Sequence, residues 1–281
     1  MAMRDSAGKQ RGFTLVELLV VIAVTGILTG IVFVLVSNAM NRASAIREVA
    51  SGKALIAAYC MYANDHDGSL LPAIDKTAGG KGNPVVFKPE NRNITFMEAP
   101  HRYPFRLAPY FDYQMEKILL INGLAKKVDK IFGKQGGMRD YGISLCPALG
   151  MNHRFCGGYV EPSGNLDYPS QKEAITRMSR MTTSILVFCS AGGKPDENTY
   201  LNGFFKVDAS TFAASPWSSA PWDKESNAAD YGAVDARHDG KAVCAFLDGS
   251  VRMLSIEELR DMRLWSRNAA ELEDPKYEAV Y

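Results

Sequence analysis

Residues 13–36 read FTLVELLVVIAVTGILTGIVFVLV, and this stretch decides how the chain is organised. It is apolar almost throughout, with Glu17 as its single charged residue. A helix of this length spans roughly 34 Å at ~1.5 Å per residue, which is enough to cross a bilayer. Three basic residues, Arg4, Lys9 and Arg11, precede it. Because positive charge keeps that end cytoplasmic, we predict a transmembrane helix half at 13–36 with the bulk of the chain outside.

A secretory signal peptide is the competing interpretation of the same stretch. Ser37-Asn38-Ala39 follows it and has the small-x-small pattern of a signal cleavage site. The apolar stretch is longer than the ~7–15 residues usual for the core of a signal peptide. Glu17 also argues against a disposable segment, because a charge in the hydrocarbon region costs at least about 2 kcal/mol and usually marks function. Both observations favour a helix that the mature protein retains.

The residues at the start of the stretch carry a specific motif. Lys9-Gln10-Arg11-Gly12-Phe13-Thr14-Leu15-Val16-Glu17 resembles the prepilin cleavage and methylation motif of type IV pilins and type II secretion pseudopilins. The resemblance implies that residues 1–12 are a leader peptide. It also implies that a prepilin peptidase cuts between Gly12 and Phe13, after which Phe13 is N-methylated. A glycine suits the position before the cut, since it lets the backbone approach a peptidase closely.

The resemblance also implies an assembly role for Glu17. The resemblance implies that Glu17 of one subunit neutralises the Phe13 ammonium group of a neighbour, and buried opposite charges need each other. A local role is also open, because Thr14-x-x-Glu17 has the spacing of a capping box. Gly26 and Gly30 leave two alternatives as well: close helix approach in lipid, or a locally weakened helix.

The helix pattern continues beyond Val36 but becomes amphipathic over residues 37–64. We predict one helix from about Thr14 to Ala63, ended by the turn formers of Asn64–Gly68 and by Pro72. Asp65 and Asp67 could belong to a calcium loop, but the ligand spacing is incomplete, so a helix stop is preferred. The residues predicted to face the domain are Ile46, Val49, Ala50, Ala54, Ala57, Cys60 and Met61, and those predicted to face elsewhere are Arg42, Arg47, Glu48 and Lys53.

Residues 65–281 are predicted to form an extracytoplasmic globular α+β domain. The part from Asp75 to Tyr168 is rich in glycine and proline, which predicts loops with a few short helices. The continuous apolar run Ser184–Cys189 predicts a central strand, with Asn202–Val207 as its partner. The predicted short helices lie near Pro104–Phe111, Met115–Ile121 and Lys126–Phe132.

The C-terminal part of the domain carries a clear hairpin pattern. Lys241–Leu247 and Ser250–Leu254 flank Asp248-Gly249, and an Asp-Gly pair between apolar runs favours a β-hairpin. Ser255, with Glu258 three residues later, predicts the start of a helix. Together with the motif resemblance, these elements give a pilin-like α+β fold. In that fold, the long N-terminal helix packs on a C-terminal antiparallel β-sheet domain with loop-rich insertions.

A second resemblance involves the same hairpin. Nine residues separate His238 from Asp248-Gly249 in HDGKAVCAFLDG, which resembles the H-X9-DG signature of a group of large prepilin-type proteins. The segments YANDHDGSLLP, YPFRLAPYF and CPALGMN resemble other motifs of that group. Two extended strands would put His238 and Asp248 roughly 30 Å apart at ~3.3 Å per residue, too far for a shared metal or catalytic pair. We predict structural roles: Asp248-Gly249 forms the turn, and His238 hydrogen-bonds a loop that enters the strand.

Two further features leave alternatives open. Ser210–Asp230 is predicted to be a long surface loop whose Trp217 and Trp222 either anchor it on the core, the preferred interpretation, or form a ligand platform. The five cysteines lack CxxC spacing, which argues against a zinc ribbon and a thioredoxin-type motif. In an exported domain, Cys146 could pair with Cys156 and Cys189 with Cys244, or the thiols could stay buried and free.

The composition and motifs bound the function. The net charge of +1, from 32 basic and 31 acidic side chains, gives no basic excess for nucleic-acid binding. No hydrolase, P-loop or dinucleotide fingerprint is present, so no enzyme activity, cofactor or metal is predicted. The histidines are isolated and lack ligand spacing: His66, His101, His153 and His238.

The predicted function is therefore a structural subunit, pilin or pseudopilin, of a type IV pilus-like or type II secretion-like fibre. Its expected partners are a prepilin peptidase, other pilin or pseudopilin subunits and the inner membrane. There the N-terminus would be cytoplasmic and the domain periplasmic, before assembly into a pilus or pseudopilus. One alternative is a membrane-anchored extracytoplasmic binding module for polysaccharide or an exported substrate. An exported hydrolase is a third hypothesis.

Overall fold

A computed structural model describes residues 15–180, 184–196, 198–211 and 216–279. The predicted processing site, Gly12 and Phe13, lies outside these residues, as does Thr14 of the predicted capping box. The chain forms two compact units, which divide after Ser44. The helix α1, Leu15–Asp65, supplies the described part of the first unit and continues into the second.

We call residues 15–36 of α1 its first part and residues 37–65 its second part. The first part is an apolar helix with exposed side chains. Leu28, for example, is 56% exposed. An 18-residue window has a mean hydropathy of 2.9 and none of it is buried, so by length and composition this helix can cross a membrane. The Thr25 and Thr29 hydroxyls donate to the carbonyls of Val21 and Thr25, at 2.8 and 2.7 Å. These bonds satisfy the hydroxyls within the helix itself.

The end of α1 has the geometry of a helix stop. The helix ends at Asp65, two residues later than predicted. Asp67 and Gly68 adopt left-handed backbone conformations, with φ of 53° and 79°. The Gly68 amide donates to the Ala63 carbonyl at 2.7 Å, which satisfies a carbonyl that the helix itself leaves open. The predicted turn at this position is confirmed.

The second part of α1 is amphipathic, but the predicted buried face is wrong. Ile46 and Met61 are 68% and 51% exposed, whereas Glu48, predicted to face away, is 1% exposed. The helix is rotated relative to the prediction because its Glu48 carboxylate has buried partners in the domain. The buried side of this part consists of Glu48, Ser51, Gly52, Leu55, Ile56, Ala58, Tyr59 and Ala63.

The remaining elements are short. The strands are β1 (Ile74–Asp75), β2 (Val86–Phe87), β3 (Arg92–Asn93), β4 (Leu149–Asn152), β5 (Tyr159–Val160), β6 (Leu186–Ser190), β7 (Lys206–Val207), β8 (Lys241–Phe246) and β9 (Val251–Ser255). The helices are α2 (Tyr103–Leu107), α3 (Met115–Ile118), α4 (Leu124–Phe132), α5 (Gly136–Leu145), α6 (Tyr168–Glu173), α7 (Ile256–Leu259) and α8 (Arg267–Glu271). The structure thus confirms the three short helices predicted between residues 104 and 132, as α2 to α4. It also confirms the Ser255–Glu258 capping box that starts α7.

The main sheet has five strands in the order β7-β4-β6-β8-β9. As predicted, β6 is central, and it pairs antiparallel with β4 and β8. The prediction that Asn202–Val207 pairs with this central strand is wrong. Its strand β7 pairs with β4, in parallel, so the sheet is mixed and not antiparallel throughout, as predicted from the sequence. At the β4–β7 contact, a Cβ on Gly150 would lie 2.8 Å from the Lys206 carbonyl, so only glycine allows this approach. The α+β, pilin-like fold class is confirmed.

The predicted hairpin is formed by β8 and β9. Gly249 has φ of 83°, and its amide donates to the Phe246 carbonyl at 2.9 Å. Asp248 Oδ1 accepts from the Ser250 amide at 2.8 Å, which stabilises the turn. At the other end of β8, His238 and Lys241 exchange two backbone hydrogen bonds across a second tight turn. His238 and Asp248 therefore lie at opposite ends of β8, as predicted.

The tryptophan loop is anchored on the core. Trp217 is 7% exposed, and its Nε1 donates to the Asp208 carbonyl at 3.0 Å. Its ring packs edge-on against the fully buried Trp265, with centroids 6.0 Å apart. Trp222 packs against Tyr231 in a similar way, at 5.1 Å. These contacts confirm the anchoring role and leave no exposed Trp217 face for a ligand platform.

Candidate functional site: a buried ionic cluster on the second part of α1

Glu48 of α1 has a carboxylate whose two oxygens are fully occupied. Arg237 binds both oxygens: its Nη2 donates to Oε1 at 2.7 Å and its Nε donates to Oε2 at 3.0 Å. His238 Nε2 lies 2.9 Å from Oε2, and the Ser190 hydroxyl donates to Oε1. A carboxylate offers about four acceptor positions, and all are used here. Because an ionised carboxylate only accepts, His238 carries its proton on Nε2 in this contact.

Arg237 is equally satisfied. Two of its N–H groups bind Glu48, and the other three bind groups from the sheet side. Nη1 donates to the Ala191 carbonyl at 2.8 Å and to Asp235 Oδ2 at 3.0 Å, while Nη2 also donates to the Ala148 carbonyl at 2.7 Å. A guanidinium has five donors, so none is left unpaired. Such complete pairing is what a buried charge requires.

Further hydrogen bonds extend the network to neighbouring segments. Asp235 Oδ2 also accepts from the Tyr200 hydroxyl at 3.0 Å and from Asn202 Nδ2 at 3.1 Å. The Ser190 hydroxyl oxygen accepts from the Val243 amide at 2.7 Å, which links β6 to β8. We call the central group the Glu48 cluster; its members are Glu48, Ser190, Asp235, Arg237 and His238.

The local sequence explains how these side chains converge. The Asp235 amide donates to the Ser190 carbonyl at 3.0 Å, so residues 235–238 run beside the end of β6 before β8 begins. On the helix, Gly52 lies one turn after Glu48, and a Cβ there would touch the Val243 and Val251 side chains at 3.4 Å. The small residue lets α1 lie close to the sheet, which brings Glu48 within reach of Arg237.

The electrostatics favour ionised Glu48. Burial alone raises the pKa of Glu48, but the Arg237 guanidinium and His238 outweigh it and lower the pKa to about 2. Burial likewise opposes the charge on Arg237, yet Glu48 and Asp235 outweigh it and raise the Arg237 pKa. Both groups are therefore charged at neutral pH. Removing either one leaves a buried, uncompensated charge, which costs about 3–5 kcal/mol.

The cluster contains the residue types of a hydrolytic triad but not its arrangement. In a triad, histidine lies between the serine and the carboxylate. Here the carboxylate of Glu48 lies between Ser190 and His238, and the Ser190 hydroxyl donates its hydrogen bond to Glu48, not to His238. Ser190 is completely buried, so no substrate reaches its oxygen. The arrangement holds elements together and offers no nucleophile.

The structure revises the predicted role of one site residue and leaves others where the sequence put them. The prediction that His238 hydrogen-bonds an incoming loop is wrong. Its Nε2 binds Glu48 of α1 instead. Asp248 and Gly249 form the predicted turn. Glu17 lies in the first turn of α1, while its predicted partner Phe13 is outside the described residues. Within the described part of the chain, no group of three or more His, Cys, Asp or Glu side chains could hold a metal ion.

Sequence reasoning missed Glu48 and Arg237. A charged residue on an amphipathic helix is normally assigned to the solvent side, and Arg237 lies 189 residues further along the chain. Two weak indications were present. Ser51 and Gly52, three and four residues after Glu48, mark a side of the helix that something approaches closely. Arg237 immediately precedes His238, and the strand β8 begins three residues after His238.

Comparison with known proteins supports the N-terminal assignment. The family model described as "Prokaryotic N-terminal methylation motif" matches residues 8–33. No curated protein and no solved structure matches the chain. The motif match indicates a type IV pilin-like or pseudopilin subunit that a prepilin peptidase processes. With the apolar first part of α1, it also indicates a membrane-anchored protein that assembles with other pilin subunits.

Proposed function

We propose that this chain is a structural subunit, pilin or pseudopilin, of a type IV pilus-like or type II secretion-like fibre. One observation carries the proposal: the methylation motif at residues 8–33 continues into an apolar helix whose side chains are exposed. Exposed apolar surface of this length needs an apolar environment. Lipid supplies it before assembly, and the same helices of neighbouring subunits supply it in the fibre.

Maturation prepares the helix for assembly. The prepilin peptidase removes residues 1–12 by cutting between Gly12 and Phe13, and Phe13 is then N-methylated. The Phe13 ammonium group of one subunit meets the Glu17 carboxylate of its neighbour. Glu17 lies in the first turn of α1, where it can be presented at the helix end. Pairing these charges sets the register between subunits, since a buried charge without a partner is costly.

Orientation follows from the charge before the helix. The basic leader stays in the cytoplasm, residues 13–36 span the inner membrane, and residues 37–64 continue into the domain. Residues 65–281 are periplasmic. The Glu48 cluster then has a mechanical role, because it binds the domain to the second part of the helix. A subunit pulled into a fibre by its helix carries the domain with it.

A membrane-anchored binding module is the alternative, and a cavity in the domain favours it. The cavity has a volume of about 650 Å³ and lies where β3 faces the start of α5. It combines the Phe96 ring with polar side chains, among them Arg92 and Lys134. Arg92 is held in place by Asp140, with an Nη2–Oδ1 distance of 2.8 Å. Because charged and polar side chains dominate this lining, a ligand held there would be a polar one.

The substitution Glu17→Ala separates the two functions. A fibre subunit with this change should still be cut before Phe13 and remain in the membrane. Its yield in sheared fibres should fall about a hundredfold or more, because the Phe13 ammonium group would be buried without a partner. Thr29→Ala, on the same part of α1, is the matched control and should assemble normally. Fibre yield equal to that of the control would contradict the assembly role of Glu17. Absence of both the wild-type and the control chains from sheared fibres would contradict the fibre function and leave the membrane-anchored module.

A further inference from the structure

Two cysteines face each other in the centre of the main sheet. Cys189 of β6 and Cys244 of β8 are direct partners in the antiparallel register. Their Sγ atoms are 3.6 Å apart, and both side chains are completely buried. The sequence left two pairings open, as well as five free thiols. In the structure all five cysteines are thiols, and this pair is in sulfur–sulfur contact.

Other cysteines have different neighbours. The Cys156 thiol points to the Leu186 carbonyl at 3.6 Å, and the Cys60 thiol lies 4.0 Å from the Leu247 carbonyl. Cys146 and Cys156, whose pairing the sequence also left open, are thiols as well. The contact geometry therefore distinguishes Cys189 and Cys244 from the other cysteines.

We propose that Cys189 and Cys244 form a disulfide bond in the exported chain. Directly opposite residues of antiparallel strands have Cα atoms about 4.5–5.5 Å apart, within the range of about 4.4–6.8 Å that disulfides span. Closing the bond therefore needs rotation of two side chains and no change of strand register. The proposal rests on the periplasmic placement of the domain, because disulfides persist in oxidising compartments.

The reaction balances as a thiol–disulfide exchange. A disulfide of a protein thiol oxidase is attacked by one cysteine thiolate, which gives a mixed disulfide and releases one oxidase thiol. The second cysteine of the pair then attacks the mixed disulfide, forms the Cys189–Cys244 bond and releases the second oxidase thiol. Two electrons and the two thiol protons pass to the oxidase, whose disulfide is reduced to a dithiol.

Burial determines when the bond forms. Burial raises the pKa of the Cys189 thiol, as does the neighbouring Cys244, so the folded sheet holds little of the thiolate that reacts. No oxidase reaches sulfurs that are fully buried. The bond therefore forms while β8 pairs with β6, before the sheet is covered, and the closed sheet then protects it from reductants.

The bond would reinforce the strands that present the Glu48 cluster. Cys189 and Cys244 are each adjacent in sequence to a residue of that network, Ser190 and Val243. The Ser190 hydroxyl accepts from the Val243 amide and donates to Glu48. A covalent link one residue away fixes the spacing of the two strands at the point where they bind α1.

The test counts free thiols in the full chain taken from cells that export it. Cells are lysed into denaturant with excess N-ethylmaleimide and no reductant, and the protein is analysed by mass spectrometry before and after proteolysis. The proposal predicts that three of the five cysteines are labelled and that the peptides of Cys189 and Cys244 are linked. Labelling of all five would overturn it.

Variants identify the pair without depending on a particular stability. Cys189→Ala should make Cys244 newly reactive, and Cys244→Ala should do the same for Cys189. Cys60→Ala is the control, which should lose one label and keep the link. A link that connects either cysteine to a different partner would contradict the pairing.

Refolding separates this proposal from the proposed function. The full chain is refolded in detergent micelles in a buffer of oxidised and reduced glutathione, where the pair should also become linked. A link in this buffer but not in cells would contradict the proposal through its periplasmic placement. Absence of the link in both would contradict the pairing itself. Fibre assembly, tested with Glu17→Ala, has a separate readout.

Discussion

The two parts of α1 belong to one helix but meet opposite requirements. In the first part, side chains such as Leu28 are 56% exposed, and the surface is apolar on every side. In the second part, Leu55 is completely buried while Ile46 is 68% exposed, and the deepest charged group is Glu48. Average hydropathy is enough to predict the environment of the first part. It does not predict the buried side of the second part, because one buried carboxylate determines which side faces the domain.

This difference shows how one helix serves two tasks. The first part needs only to be apolar and long, because lipid or identical helices can surround it from any direction. The second part must bind one particular domain in one orientation. Apolar contacts alone specify orientation weakly, whereas a carboxylate that needs Arg237 and His238 fits only one arrangement. Changes in the two parts should therefore have separate consequences.

Removing the Glu48 carboxylate should have the largest effect on the domain. Glu48→Ala leaves Arg237 buried without its main partner, so the free energy of unfolding should fall by about 3–5 kcal/mol. Chemical denaturation of the full chain in detergent micelles measures this. Lys53→Ala, exposed on the same part of α1, is the control and should stay within about 0.5 kcal/mol of the wild type. Equal stability of the two variants would show that the Glu48 cluster does not hold the helix.

A matched pair of leucines tests the comparison between the two parts directly. Leu55→Ala should lower the free energy of unfolding by about 3 kcal/mol, because it removes a fully buried side chain. Leu28→Ala makes the same chemical change in the exposed part and should leave the unfolding of the domain unchanged. The same denaturation measurement applies. A loss of similar size for both variants would mean that the two parts of α1 have similar environments.

Acid should weaken both the second part of α1 and the domain that it binds. The Glu48 pKa is lowered from 4.5 to about 2, so its contribution is present above pH 4.5 and is lost as the pH falls towards 2. That shift corresponds to about 3 kcal/mol. Burial also lowers the pKa of His153 from 6.5 to about 4, so stability should already decline from pH 6.5 to 4. Denaturation measured across this range should show both declines.

Two variants assign the two declines. Glu48→Gln should flatten the decline below pH 4.5 and leave the one above it. His153→Gln should do the reverse. An unchanged acid profile in Glu48→Gln would contradict the assignment of a lowered pKa to Glu48.

Much of the fold was predictable because its determinants are local. The Asp248-Gly249 pair fixes the β8–β9 hairpin through the left-handed conformation of Gly249, and the apolar run around Val187 produces the central strand. Ser255 and Glu258 start α7 through a capping box, whose Ser-x-x-Glu spacing is visible in the sequence. The apolar first part of α1 follows from its length and composition alone.

The errors all involve contacts between segments distant in sequence. β7 pairs in parallel with β4, and nothing near Lys206 in the sequence specifies that partner. The buried side of α1 was misplaced because Glu48 and Ile46 reverse the usual rule for charged and apolar residues. Their placement depends on Arg237, which arrives 189 residues later. Such long-range pairing of charges leaves no periodic pattern for sequence reasoning to detect.

Whether the mature protein keeps the first part of α1 decides between a fibre subunit and a protein released by signal cleavage. Intact-mass and N-terminal peptide spectrometry of the mature protein, isolated from the cell that makes it, measures where the chain begins. We expect a chain that starts at Phe13 with a methylated amino group and retains the entire apolar helix. A mature chain that starts at Met40, after cleavage at Ser37-Asn38-Ala39, would contradict it.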